Sequence, residues 1–153
     1  AISVKSYEKF EPLSISVAQL LKESMDRLEL FHGFQLVKFV SCYLALSRFG
    51  LSQNELQQLL SLNDVVLADV YQWWLPPLRI LPPMLLKRLL LDLEPCYLKI
   101  HEKGGPFHLF SFLHTSFVDA ISTKYVSDES SRKACHFDLV DFFRGTWAGK
   151  LKP

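Results

Sequence analysis

A helix-turn-helix pattern over residues 47–60 constrains the fold of this chain more than any other feature. Gly50 stands where the C-cap of a helix adopts a left-handed backbone. Ser52 is followed three residues later by Glu55, which is the S-x-x-E capping box of a helix N-terminus. We therefore predict that one helix ends near Gly50 and that a second begins at Ser52, which makes a helix-turn-helix unit. Its defining positions are Gly50, Leu51, Ser52, Glu55 and Leu56.

Apolar residues at helical spacing predict further helices on both sides of this unit. Residues 16–31 form an amphipathic helix, and residues 34–49 are apolar nearly all round, which is typical of a central helix. A shorter helix is predicted over residues 65–74. The Pro82-Pro83 pair can start a leucine-rich helix over residues 84–93, because proline fits the first turn of a helix. The apolar stripe of the first helix comprises Val17, Leu20, Leu21, Met25, Leu28 and Phe31.

The hydrophobic period changes after this leucine-rich helix. Residues 97–101 and 107–113 alternate in polarity around a glycine-containing turn, which predicts a β-hairpin. Three helices followed by a hairpin is the order of a winged helix. The predicted fold class is therefore mainly α, a winged helix with flanking helices.

Two more helices are predicted after the hairpin. One starts at His114, and the last is capped by Ser127 or Asp128 and runs through Phe137, Val140 and Phe143. The predicted segments are an N-terminal helical segment (1–32), a winged-helix domain (33–126) and a C-terminal helix with the start of a linker (127–153).

Charge and composition exclude several classes of function. The 153 residues carry a formal net charge of +1, so we expect no general attraction to nucleic acid or to an anionic membrane. The longest apolar runs, 34–46 and 85–93, are too short and too charged to span a bilayer, and no signal peptide is visible. Because the chain begins with Ala1, we expect it to be part of a larger protein.

The cysteines predict reduced thiols rather than a metal site. Cys42, Cys96 and Cys135 are odd in number and irregularly spaced, which indicates an intracellular setting. Cys96 lies near His101 and Cys135 lies beside His136, but no C-x-x-C or H-x-x-x-H motif accompanies them. We therefore expect no metal ligands in this chain.

No catalytic motif is present either. Residues 145–151 approximate a phosphate-binding loop, but the spacing is one residue short and Leu151 replaces the required serine or threonine. There is no G-x-S-x-G elbow and no paired-carboxylate motif. We predict that this segment is not an enzyme, with no catalytic residues and no cofactor of its own.

Nucleic-acid binding is an alternative use of a winged helix. A DNA-reading winged helix exposes basic and amide side chains on its third helix. The helix over residues 84–93 offers only Lys87 and Arg88, and the wing tip sets Lys103 against Glu102. Few basic side chains are therefore available to neutralise DNA phosphates. The leucine-rich surface of the third helix favours contacts with protein instead.

Residues 43–56 carry a resemblance to a known family. Their sequence, Y-L-A-L-S-R-F-G-L-S-Q-N-E-L, resembles the L-A-x-S-R-x-G-L-S-x-x-E-L signature that follows the nucleotide-binding module of NACHT-type STAND ATPases. Residues 70–77 and 80–83 resemble the proline-marked insertion of the NACHT and WD-repeat proteins. Residues 112–117 resemble the histidine motif that opens the helix after the wing. The resemblance covers roughly residues 15–145.

This resemblance implies a non-catalytic regulatory and protein-interaction domain of a cytoplasmic signalling ATPase. The intact protein would bind ADP and ATP in a P-loop module, and this domain would pack on that module and connect it to C-terminal WD or TPR repeats. It would couple the nucleotide state to homo-oligomerisation, without specific nucleic-acid or membrane partners. A nucleic-acid-binding winged helix and a purely structural scaffold segment are the alternatives.

The resemblance also assigns a sensing role to His114, which would reach the β-phosphate of bound ADP and hold the closed, resting state. Thr115 stands where related proteins often have aspartate. The structural alternative is that His114 only packs the corner between wing and helix. An aromatic and proline-rich cluster is either a partner-docking patch or a cover for its own domain: Trp73, Trp74, Pro76 and Pro77.

Overall fold

The computed structural model describes residues 17–72, 79–102, 108–147 and 150–151. Within these residues there are seven helices: α1 (Val17–His32), α2 (Phe34–Leu46), α3 (Gln53–Leu62), α4 (Asp64–Val70), α5 (Pro83–Leu93), α6 (Thr115–Tyr125) and α7 (Glu129–Arg144). The strands are β1 (Leu51–Ser52), β2 (Leu98–Glu102), β3 (His108–Phe112), β4 (Thr146–Trp147) and β5 (Lys150–Leu151). The chain is a mainly α winged helix, which confirms the predicted fold class.

The wing hairpin forms as predicted, and a strand that the sequence did not predict joins it. β3 lies between β1 and β2 and is antiparallel to both. Phe110 pairs with Ile100 on one side and with Leu51 on the other. β1 is too short to show an alternating pattern, so sequence periodicity could not reveal it. Because β1 connects α2 to α3, the helix-turn-helix is hydrogen-bonded directly to the wing.

The capping box predicted at the start of α3 is present. The Ser52 hydroxyl accepts a hydrogen bond from the Glu55 amide at 3.2 Å, and the Glu55 carboxylate accepts one from the Ser52 amide at 2.8 Å. The next corner is capped by Asn63, whose side-chain oxygen accepts from the first amides of α4. Caps of this kind contribute about 1 kcal/mol each. Leu56 is fully buried on the core face of α3.

Helix α2 ends at Leu46, before the predicted residue 49. Ser47 turns the backbone to an extended conformation, and its hydroxyl donates to the Leu44 carbonyl at 2.9 Å. Gly50 is therefore not the C-cap of α2, and that prediction is wrong. Its φ of 87° is indeed left-handed, but an added Cβ would stand 2.6 Å from the Phe110 carbonyl oxygen. The close approach of β3 requires the glycine.

The connection between α3 and α5 also differs from prediction. Helix α4 ends at Val70 rather than at residue 74. The chain leaves it at Tyr71, whose hydroxyl donates to the Ile80 carbonyl at 2.9 Å. Pro83 occupies the first turn of α5, as predicted. The predicted cluster of Trp73, Trp74, Pro76 and Pro77 lies outside the described residues, as does the wing tip at 103–107.

The apolar stripe predicted for α1 is only partly buried: Leu21 and Met25 are buried, but Phe31 is 83% exposed. In α7, the apolar residues through which the helix was predicted to run are exposed: Phe137, Val140 and Phe143. The buried residues of α7 are Cys135, Leu139 and Phe142. Both sets in α7 have helical spacing, so only the position of the core decides which one is buried.

Candidate functional site

The corner between the wing and α6 presents His114 to solvent. His114 is the N-cap of α6 with extended backbone angles, and its carbonyl accepts from the Phe117 amide at 3.1 Å. Its imidazole makes no capping hydrogen bond to the helix. The ring lies edge-on to Phe117, with 6.2 Å between centroids. The predicted junction between strand and helix is thus confirmed, and the exposed imidazole has no hydrogen-bond partner among the described residues.

This corner is held by Tyr97, the residue immediately before β2. Tyr97 packs against the Phe117 ring with 5.4 Å between centroids, and its carbonyl accepts from the Leu113 amide at 2.8 Å. The start of α6 is therefore fixed to the base of the hairpin. In general, the partial positive charge of a helix N-terminus favours a nearby anion, and an imidazole N–H can donate a hydrogen bond.

The other end of α6 is fastened to α1 by charged groups. The Lys124 ammonium pairs with Asp26 and, at 3.2 Å, with Glu29, while the Tyr125 hydroxyl donates to Glu29. The hydrogen bond from Lys124 lowers the pKa of Asp26. Burial raises the pKa of Tyr125, and the hydrogen bond to Glu29 raises it further. Sequence periodicity could not predict these pairs, because the two residues of each pair are about a hundred positions apart in the chain.

The helix-turn-helix surface carries a mixture of side-chain types. Exposed positions of α3 include Asn54 and Gln58, which are uncharged amides. The exposed face of α5 alternates between apolar, basic and acidic residues: Met84, Lys87, Arg88, Leu91 and Asp92. Asp92 pairs with His32 of α1 at 2.6 Å, so this acidic group is part of the fold. A DNA-reading helix would need a more uniformly basic face.

An apolar groove of about 610 Å³ lies between the turn after α2 and helix α7. Phe49, which is 66% exposed, stands on one wall, and Phe143, which is 59% exposed, stands on the other. Arg48 and Arg144 are basic residues at the groove, and the Arg48 guanidinium lies over the Phe49 ring at 5.2 Å. Large exposed apolar side chains grouped in this way mark contact surfaces.

A buried polar network that sequence reasoning missed joins α7 to the helix-turn-helix. The Tyr43 hydroxyl donates to the Asp138 carboxylate at 2.8 Å and accepts from the Asn63 amide at 3.0 Å. Burial raises the pKa of both Tyr43 and Asp138. The same Asn63 caps α4, so α7, α2 and α4 share one chain of hydrogen bonds. The only sequence signal for this network was Tyr43 in an apolar helix, because a buried tyrosine hydroxyl needs a hydrogen-bond partner.

The described residues offer no metal site and no membrane span. No three His, Cys, Asp or Glu side chains among them are arranged to hold a metal ion. None of the described helices has the length and apolar character needed to cross a membrane. Gly145, the first glycine of the approximate phosphate loop, instead ends α7 with a left-handed backbone. It follows a helix rather than a strand, which agrees with the rejection of a P-loop.

Comparison with known proteins assigns the family. Residues 6–132 match the family model described as the NWD1-like winged helix-turn-helix domain. The chain belongs to this family. The match includes the helix-turn-helix and the His114 corner of this NWD1-like domain, and it ends within α7. Cys135, Asp138 and the α7 wall of the groove therefore lie beyond the matched region.

The relatives of this NWD1-like domain are large proteins. The chain is 41% identical over 144 residues to human NACHT domain- and WD repeat-containing protein 1, and 36% identical to the mouse protein of that name. Each alignment covers 92% of the chain but only 9% of the relative. Human NACHT and WD repeat domain-containing protein 2 is 27% identical over 139 residues, which is 90% of the chain and 8% of the relative. The resemblance to NACHT and WD-repeat proteins is thereby confirmed. No solved structure has a significant match to the chain.

Proposed function

We propose that this NWD1-like domain is a non-catalytic regulatory domain of a cytoplasmic NACHT signalling ATPase with WD repeats. In this proposal it packs on the nucleotide-binding module of the same protein and couples the nucleotide state to oligomerisation. The observation that carries the proposal is the exposed, uncommitted imidazole of His114 at the N-terminus of α6. Its chemistry suits an anionic ligand such as the β-phosphate of ADP.

The energetic role of His114 follows from a single hydrogen bond. A hydrogen bond to a charged group contributes about 1.5–3 kcal/mol. If this contact forms only in the closed state, its loss shifts the closed-to-open ratio roughly ten- to a hundredfold. The packing of Tyr97 against Phe117 supports this role, since it holds the start of α6, and with it the backbone of His114, against the hairpin. A pre-positioned donor loses little conformational entropy on binding.

Exposed apolar side chains support packing against the nucleotide-binding module. The aromatic side chains of Phe49 and Phe143 are both exposed at the groove. A stable monomer rarely exposes large apolar side chains in a group, so such a group indicates a contact surface. The basic groups of Arg48 and Arg144 at the same groove suit an acidic border on the opposing module. The names of the relatives contain both a NACHT domain and WD repeats, so modules that could cover this surface occur in their chains.

The test compares His114→Leu with wild type in the full-length protein. We expect the purified variant to retain several-fold less ADP and to show a larger oligomeric fraction, because the closed state loses its contact with the phosphate. ADP content is measured by chromatography of the denatured protein, and the oligomeric fraction by light scattering. His108→Leu is the matched control, since His108 is an exposed histidine of the preceding strand β3.

Melting of the 153-residue chain distinguishes sensing from packing. The His114 side chain is exposed and contacts only one ring among the described residues, so His114→Leu should leave the melting temperature nearly unchanged. Unchanged ADP content together with a lowered melting temperature would show that His114 packs the corner and senses nothing.

A further inference from the structure

The groove between the turn after α2 and helix α7 is lined mainly by apolar side chains. On the α7 wall, Val140 is 42% exposed and Phe143 is also exposed, and Phe49 is exposed on the opposite wall. The lining also includes Leu51 and Leu139, which belong to the buried core. The volume of about 610 Å³ is room for several side chains. An apolar side chain that enters the groove is therefore covered by apolar groups.

The ionisable side chains at this groove are mostly basic. Arg48, His136 and Arg144 line the groove and are exposed. Glu55 is the one acidic residue among the described residues of the lining, and its carboxylate already accepts the hydrogen bond from the Ser52 amide at 2.8 Å. Neither arginine forms an ion pair with a carboxylate in the described part of the chain. The charges at the groove therefore complement an acidic partner.

The side chains that α7 contributes to the groove form one continuous helix face. Their spacing is i, i+3, i+4, i+7 and i+8: His136, Leu139, Val140, Phe143 and Arg144. A face with this spacing is the surface against which a second helix packs. An extended peptide is less suited to the groove, because the neighbouring strand β1 has only two residues and offers few main-chain hydrogen bonds.

We propose that this groove binds an acidic amphipathic helix of the nucleotide-binding module. Apolar side chains of that helix enter between Phe49 and Phe143, and its carboxylates pair with Arg48 on one wall and Arg144 on the other. This inference rests on the packing proposed above and gives that contact a chemical identity. It does not involve His114, which is not among the residues that line the groove.

The experiment uses the purified full-length protein with the photo-cross-linking residue p-benzoylphenylalanine in place of Phe143. The protein is irradiated in the presence of ADP and digested, and its peptides are analysed by mass spectrometry. We expect one major cross-linked peptide from the nucleotide-binding module, with apolar residues at helical spacing and an excess of Asp and Glu. The matched control places the same residue at Phe137, which is 64% exposed on the same helix but does not line the groove. The control should not yield this peptide.

Charge reversals in the cross-linking protein test the basic groups. Arg48→Glu and Arg144→Glu should each lower the yield of the cross-link several-fold, because each reversal repels the carboxylates of the bound helix. Arg132→Glu is the matched control, since Arg132 is an exposed arginine of α7 outside the groove, and it should leave the yield unchanged. A carboxylate of the cross-linked peptide changed to lysine should restore the yield in the Arg144→Glu protein.

The outcomes separate this inference from the proposed function. A cross-link to a peptide without excess carboxylates, a cross-link to a second copy of the protein, or equal yields from positions 143 and 137 would overturn the acidic helix as the partner. Flotation of the wild type with phosphatidylserine vesicles, lost in Arg144→Glu, would overturn it as well and identify a membrane-facing surface. A cross-link to an acidic helix of another module would overturn the packing on the nucleotide-binding module. The ADP content of His114→Leu tests the sensing role separately.

Discussion

Gly50 shows how one residue can join two parts of a fold. Its backbone has a φ of 87°, and a Cβ at this position would meet the carbonyl oxygen of Phe110 in β3. The left-handed backbone is a local property that would strain any residue other than glycine. The close approach to the Phe110 carbonyl depends on the wing, which is about sixty residues away in the chain. Gly145 has a similar φ of 77°, but no atom of the described residues lies within 4 Å of its added Cβ.

We predict that Gly50→Ala destabilises the chain more than Gly145→Ala. The left-handed backbone costs about 1–2 kcal/mol at either position. At Gly50, the clash with backbone atoms of β3 adds about 1–3 kcal/mol. Urea unfolding of both variants, followed by circular dichroism, measures the difference. Equal losses would mean that β3 moves away from the turn at little cost.

At the scale of elements, α6 is held at its two ends by different forces. Its N-terminus rests on aromatic contacts between Tyr97 and Phe117. Its C-terminus is held to α1 by Lys124, which pairs with Asp26 and Glu29. The aromatic contact does not depend on charge, whereas the ion pairs are lost when their carboxylates become neutral in acid. The stability of the α1–α6 contact should therefore depend on pH.

We predict that Asp26→Asn flattens the acid side of the stability curve. The pKa of Asp26 is lowered from 3.8 in the folded chain by its bond to Lys124. The stabilisation by this pair is therefore present above pH 3.8 and is lost as the pH falls through the lowered value. The variant should unfold more easily than wild type at neutral pH, and the difference should disappear as the pH falls through the lowered pKa of Asp26.

Urea midpoints at several pH values measure this effect. Glu23→Gln is the matched control, because Glu23 is an exposed carboxyl of the same helix with no basic partner among the described residues. Its curve should keep the acid dependence of wild type. If Asp26→Asn also kept it, Lys124 would act through Glu29 alone.

At the scale of the whole molecule, the surface is suited to protein rather than to nucleic acid. The net charge is +1, and Lys87 and Arg88 of α5 are interspersed with Met84, Leu91 and Asp92. The described surface instead exposes Phe31, Phe49, Phe137 and Phe143. Grouped aromatic side chains favour contacts with other protein modules.

We predict that the chain has no specific affinity for DNA. Few phosphates can be neutralised by so mixed a surface, so binding should be weak, independent of sequence and abolished by moderate salt. Fluorescence anisotropy with duplexes of different sequence at physiological salt measures this. Submicromolar binding to one duplex, reduced by Lys87→Ala but not by Lys99→Ala, would show that α5 reads DNA.

Local features were predictable where the responsible interactions are short in sequence. The caps at Ser52 and Asp128 bond to amides three residues away, so their residue types predicted the helix starts. The hairpin of β2 and β3 followed from alternation on both sides of a turn. The position of His114 at the start of α6 followed from the same change of period, whereas the sensing role proposed for it comes only from the family resemblance.

Capping and periodicity act within a few residues, so the order of the helices and of the wing could be predicted from the sequence. Which apolar face of α7 is buried, and why residue 50 is a glycine, became clear only from the fold. Each of these depends on contacts between residues that are distant in the chain, and the spacing along one helix contains no information about them. For α7, packing against α2 in the core selects the face that is buried.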